Sequence, residues 1–167
     1  QYSGYAAWQR NAFQDGEWDG QLAHWRRQLA GAPVTLELPG DWPRPLAPSQ
    51  RGQALARVLP QSLFADLSTL GRHEDASIFM VLLAALNLLL QRLSGQSDLV
   101  IGTPVAGRNQ PELELLIGAF SNSLALRTDL SGDPTFRELL GRTRDVTRSA
   151  TAHQDLPFAR LLGELHP

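Results

Sequence analysis

The sequence predicts a mixed α/β layered fold, and three observations carry that expectation. Apolar residues recur at three- and four-residue spacing through most of the chain, as on one face of a helix. Short runs of strand length lie between those stretches, notably Leu99-Val100-Ile101 and the evenly spaced Phe120, Leu124 and Leu126. Glycine, proline and Asp/Ser clusters punctuate the chain where one kind of segment gives way to the other. The expected order is α-β-α-α-β-β-α-α. So few strands close a sheet poorly, and the chain reads as half of something larger.

Residues 5–30 read as helix in two pieces, broken near Gly16 and Gly20. In the second piece Leu22, Trp25 and Leu29 make one apolar face. Gly31-Ala32-Pro33 ends it, with glycine just past the helix and proline beyond. Pro39-Gly40-Asp41-Trp42-Pro43-Arg44-Pro45 is a stiff connector that no central strand could contain. Gln53 to Leu59 has a strand-like pattern closed by Pro60, and Leu63, Leu67 and Leu70 mark a helix over 61–70. Ser77 is placed to cap a helix over 78–93 that stops at Ser94-Gly95. Residues 98–104 read as a strand buried on both faces, and 117–128 as a second strand. Asp133-Pro134 opens a helix to about Ala152, with proline at its first position and Phe136, Leu139, Leu140, Thr143 and Val146 as its inner stripe. A last helix follows Pro157 in the same way.

Composition excludes several classes. The 167 residues hold 15 basic and 17 acidic side chains, a net charge of −2, where a nucleic-acid binder shows a strong basic excess. All the basic residues are Arg, so lysine chemistry is unavailable, and zero Cys removes disulfides and thiolate sites. The most apolar run, Ile78 to Leu90, is interrupted by Asn87 and falls short of the roughly 20 residues a membrane span needs. It is a core helix. A start at Gln1 rather than Met reads as a fragment of a longer polypeptide.

Self-sufficient catalytic motifs are missing. The four histidines (His24, His73, His153, His166) are far apart, with no HExxH and no pair at metal-ligand spacing, so no metal site is expected. Neither G-x-S-x-G, GxGxxG nor a P-loop occurs. His73-Glu74-Asp75 sits between two helices and reads as a solvated loop. His153-Gln154-Asp155 has no nucleophile beside it and reads as bracing for a turn. Tyr5 and Trp8 share a helix face and read as packing between lobes, while Arg137, Arg144 and Arg148 read as a solvated face. Arg108, after a glycine at a strand end, could touch a phosphate, though an ion pair with Glu112 or Glu114 is the commoner outcome.

Four segments, taken in order, carry a family resemblance. Tyr2-Ser3-Gly4-Tyr5-Ala6-Ala7-Trp8-Gln9 resembles the Y-x-D-Y-A-x-W-Q motif of the condensation domains of nonribosomal peptide synthetases. Ile117-Gly118-Ala119-Phe120-Ser121-Asn122-Ser123 through Arg127 resembles that family's I-G-x-F-V-N-T-x-x-x-R, and His153-Gln154-Asp155-Leu156-Pro157-Phe158 resembles its H-Q-D-Y-P-F-E. Ile101-Gly102-Thr103-Pro104-Val105-Ala106-Gly107-Arg108 is similar to the strand and loop before the second motif. Gly4, Ser121, Ser123, Leu156 and Ala159 depart from the pattern, and the family's His-His-x-x-x-Asp-Gly motif does not occur in these residues. The resemblance therefore implies a partial condensation domain over 1–167. It would be the front part of the C-terminal lobe of a chloramphenicol-acetyltransferase-like two-lobed, mixed-sheet fold.

What the resemblance implies is amide formation between aminoacyl or peptidyl thioesters carried on phosphopantetheine arms. It implies donor and acceptor carrier proteins and neighbouring synthetase domains as partners, a cytoplasmic location, and no directly bound cofactor, nucleic acid or membrane. No catalytic residue is expected within these residues. Asn122, Ser121, Ser123 and Gly118 are the expected substrate-channel residues, because a side-chain amide both donates and accepts and suits an amine or amide. His153, Asp155 and Arg108 are expected to support the site or its turns. Asn122→Ala is expected to slow condensation with little loss of folding. Two rivals remain at this point: an inactive relative that binds carrier proteins or tailoring enzymes, and an epimerisation domain.

Overall fold

A computed structural model describes residues 1–42, 47 and 51–165. Nine elements follow one another: α1 (Tyr2–Gln14), α2 (Asp19–Leu29), α3 (Gln61–His73), α4 (Ile78–Ser94), β1 (Asp98–Val105), a 3-10 turn (Pro111–Leu113), β2 (Asn122–Asp129), α5 (Phe136–Ala152) and α6 (Phe158–Leu165). The mixed α/β reading holds. The strand expected over 53–59 does not form: residues 51–60 are irregular and exposed, with Val58 96% exposed. A strand needs a neighbour for its backbone groups, and among the described residues none lies beside it. Part of the proline-rich connector, residues 43–45, lies outside the described residues.

The chain divides into two compact units. One comprises Gln1–Val34, Asp98–Thr128 and Asp145–Pro167; the other comprises Thr35–Ser97 and Asp129–Arg144.

In the first unit, β1 and β2 form a two-stranded sheet. Asp98 at the start of β1 meets Arg127 near the end of β2, and Gly107 past β1 abuts Phe120 just before β2, so the strands run antiparallel. Leu124, Ala125 and Leu126 are all buried, so β2 is covered on both faces. β1 is not: of its apolar residues only Leu99 is buried, and Val100 joins Ala125 on the wall of an apolar groove of about 540 Å³. The expected strand over 117–121 gives way to loop, because Gly118 packs directly on the Tyr2 ring and its carbonyl is taken by Arg108. Trp25, 2% exposed, anchors α2 and donates its indole N–H to the carbonyl of His153 at 2.9 Å. The last helix of this unit, α6, begins one residue later than Pro157, whose carbonyl accepts the first helical bonds from Arg160 and Leu161.

Arg127 ties the sheet to α2. Its guanidinium grips Asp98 (Nη2 to Oδ2, 2.7 Å; Nε to Oδ1, 2.9 Å) and donates from Nη1 to the carbonyls of Gln28 and Ala30 at 3.0 and 2.8 Å. Those carbonyls belong to the last turn of α2, which has no further helical N–H groups to satisfy them.

In the second unit, α4 starts and stops where the sequence indicates. The Ser77 hydroxyl accepts from the Met80 N–H at 3.3 Å, and Gly95 ends the helix in the left-handed region at φ 74°. Val81, Ala84 and Asn87 are buried along one side of α4, while Phe79, Leu82, Leu86, Leu89 and Leu93 stay about half exposed. α5 begins at Phe136 rather than at Pro134. Thr135 is the cap, its hydroxyl accepting from the Glu138 N–H while the Glu138 carboxylate accepts from the Thr135 N–H at 2.7 Å. In the turn after α3, Glu74 pairs with Arg137 at 3.0 Å and its carbonyl accepts from Arg144 at 2.9 Å.

Candidate functional site

Residues far apart in sequence meet at one cavity of about 210 Å³ inside the first unit. One wall is aromatic. From α1 come Tyr2, Tyr5 and Trp8, one turn apart, and Phe120 from the loop before β2 packs edge-on against both tyrosines at 5.2 and 4.8 Å between ring centres. Trp18 continues the wall, edge-on to Trp8 at 5.9 Å. The facing wall is polar, with Asn109, Ser121, Asn122, Gln154 and Asp155.

The loop between α5 and α6 (153–157) supplies part of that polar wall, and side chains hold it in place. The Asn122 amide donates to the carbonyls of Gln154 and Leu156, both at 2.8 Å, and its oxygen accepts the Phe158 N–H at 2.9 Å. On the other side, the Gln21 oxygen accepts the N–H groups of Asp155 and Leu156, both at 3.0 Å. The Gln21 amide donates to Asp155 Oδ2 at 3.0 Å, and Asn109 donates to Asp155 Oδ1. An irregular, half-buried loop needs such substitutes for a ladder or helix.

The electrostatics follow from this geometry. Burial, then the charges of Tyr2 and Asp155, push the Tyr5 hydroxyl above its ordinary range. The phenol is thus held protonated, a neutral donor and acceptor near a carboxylate. His24 and His153 stack face to face, ring centres 3.7 Å apart and planes within 6°. Burial first, then His153 and Arg27, hold His24 below its ordinary 6.5. His153 Nδ1 lies 2.8 Å from the Ser149 carbonyl, which fixes its ring as part of the end of α5.

The expected site residues separate into groups. Ser121 and Asn122 line the cavity, together with Asp155. Gly118 sits behind the aromatic wall, where a Cβ would fall 2.2 Å from the Tyr2 ring. Ser123 is exposed and does not line the cavity. Rather than pairing with Glu112 or Glu114, Arg108 lies over the Phe120 ring at 4.2 Å and donates to the carbonyls of Leu113 and Gly118. It props the aromatic wall from outside the cavity. Tyr5 and Trp8 pack within this unit, against Phe120 and Trp18. The sequence reading missed Gln21, Asn109 and Trp18. Gln21 lies 134 residues from the loop it holds, and no local pattern signals it.

Among the described residues no group of His, Asp or Glu could hold a metal ion, and no single helix is long and apolar enough to cross a membrane. Comparison with known proteins then decides the family. The condensation domain family model matches residues 1–167. The chain belongs to the condensation domain family. It is 53% identical to one of the subunits of linear gramicidin synthase from Brevibacillus parabrevis over 165 residues, 99% of this chain and 2% of that protein. The X-domain from teicoplanin biosynthesis, solved in a complex with OxyB, superimposes with a TM-score of 0.91 at 35% identity, over 99% of this chain and 38% of that one. A four-domain nonribosomal peptide synthetase, solved with AMP and glycine bound, matches with a TM-score of 0.85 at 31% identity, over 89% of this chain and 11% of that one. This condensation-domain chain thus spans a small part of each relative.

Proposed function

We propose that this chain is the front part of the C-terminal lobe of a condensation domain and forms one wall of the path on which amide bonds are made. The reading is carried by one observation: segments of all three family-like motifs, Tyr2-to-Gln9, Phe120-to-Asn122 and Gln154-to-Pro157, line a single cavity. In the proposed reaction the acceptor's amine nitrogen attacks the carbonyl carbon of the donor thioester. A C–N bond forms, the C–S bond breaks, and the proton lost by nitrogen ends on the departing thiol. A thioester is already activated, so most of the rate comes from holding amine and carbonyl in attack geometry. This chain's residues serve that purpose. Ser121 and Asn122 line the path, Gly118 and Arg108 fix the aromatic wall, and His153 and Asp155 belong to the braced loop.

The partners in this reading are donor and acceptor carrier proteins bearing phosphopantetheine arms, with further domains of the same cytoplasmic synthetase. Resemblance to a four-domain synthetase supports that setting. A second reading, a condensation-like module that recruits another protein, is supported by the likeness to an X-domain solved with OxyB.

Ser121→Trp tests the first reading, because Ser121 is exposed on the cavity wall and a bulky ring there fills it without disturbing the core. In the whole condensation domain, supplied with loaded carrier proteins, the variant is expected to lose condensation. Ser62→Trp, on an exposed face of α3, serves as the control. Full turnover by Ser121→Trp would remove the cavity from the path.

A further inference from the structure

We propose that Gln21 is a positioning residue of condensation: from α2 it fixes the 153–157 loop, and through that loop the polar wall of the cavity. The inference rests on the proposed role of that cavity as the condensation path. Gln21, His24 and Trp25 lie at i, i+3 and i+4, one face of α2, and all three engage this loop. Trp25 holds the His153 carbonyl, and His24 stacks on the His153 ring. Gln21 accepts the backbone N–H groups of Asp155 and Leu156, and also orients the Asp155 carboxylate. Asn122 holds the alternate carbonyls from the β2 side. The loop is thus clamped between two side-chain amides, each acting as a strand would.

Asn122 and Gln21 differ in one respect. Asn122 lines the cavity, whereas Gln21 does not and reaches it only through Asp155 and Leu156. Removing the Gln21 hydrogen bonds releases two part-buried loop N–H groups and the Asp155 carboxylate together. The cavity wall then samples positions away from the productive one, and a displacement near 1 Å can cost about a hundredfold in rate.

The experiment uses the whole condensation domain with loaded carrier proteins. Gln21→Met keeps the side chain's length and removes its hydrogen bonds. It is expected to lower kcat about tenfold or more while KM stays within about twofold. Amide exchange at Asp155 and Leu156 should speed up by at least about tenfold while exchange in β2 is unchanged. Gln21→Glu alone places two carboxylates face to face and should also impair turnover. Adding Asp155→Asn reverses donor and acceptor across the 3.0 Å contact and should restore protection of the loop.

Parent-like turnover in Gln21→Met, despite accelerated exchange at the loop, would overturn the inference. So would a Gln21→Met variant whose kcat falls while exchange at Asp155 and Leu156 is unchanged, since the loss would then not pass through the loop. A Ser121→Trp variant that still condenses at full rate would overturn the cavity's role beneath it, a result distinct from either of these.

Discussion

Arg127 offers the sharpest test of how the first unit holds together. Replacing it by alanine removes a forked ion pair to Asp98 and the donors that satisfy the last carbonyls of α2. The pair is partly shielded, with side-chain exposures of 21% and 36%, so its value lies above that of a fully solvated pair. Hydrogen bonds to charged groups contribute about 1.5–3 kcal/mol net, and a cation at a helix C-terminus adds about 0.3–1 kcal/mol. Arg127→Ala should therefore cost about 2–4 kcal/mol, a fall in Tm of roughly 4–16 °C for a chain of this size. Arg127→Lys keeps the charge but presents a point donor that cannot grip Asp98 and the helix end at once, and should cost about half as much. Urea unfolding followed by tryptophan fluorescence is a suitable assay, because Trp18 and Trp25 are buried in this unit while Trp42 is 85% exposed and already solvated. An alanine variant within about 0.5 kcal/mol of the parent would refute the reasoning, as would a lysine variant equal to it.

Other expectations follow from single contacts. Gly107→Ala should cost at least about 2 kcal/mol in the same assay, because the backbone sits at φ 65° and a Cβ would fall 1.9 Å from the Phe120 carbonyl oxygen. Gly118→Ala should cost less, since the Cβ meets the Tyr2 side chain, which can turn away at the expense of its contact with Phe120. Asn122→Ala should lose about 2–3 kcal/mol, because three backbone groups of the loop lose their partner. The expectation of little loss of folding is corrected by those three bonds. Stability should also depend on pH through His24. Its folded pKa lies below 6.5, so the unfolded chain binds the proton first, and the contribution is complete above pH 6.5 and lost as pH falls below it. Urea midpoints for His24→Phe should be flatter than the parent's between about pH 7.5 and 5; an identical slope would show that the stacked pair is not the source.

The legible part of this protein is the part written in short-range patterns. Helical period, the capping and breaking residues and the alternation around Leu124 mark all six helices and β1 to within about three residues, and β2 apart from its expected first five. The motif segments place Ser121, Asn122 and Asp155 among the residues of interest, and all three lie on one cavity. Where sequence patterning and structure part company, a long-range partner decides. The run over 53–59 alternates like a strand, but among the described residues no strand pairs with it. Arg108 has carboxylates four and six residues away, yet a ring and two carbonyls offer its planar guanidinium a closer fit. Gln21 and His24 carry no local signature because their partners lie about 130 residues on. Local spacing is set by the backbone's own periodicity and can be read from a string of residues. Which side chain closes over an irregular loop depends on which elements tertiary packing brings beside it, and here that packing alone joined α2 to the loop between α5 and α6.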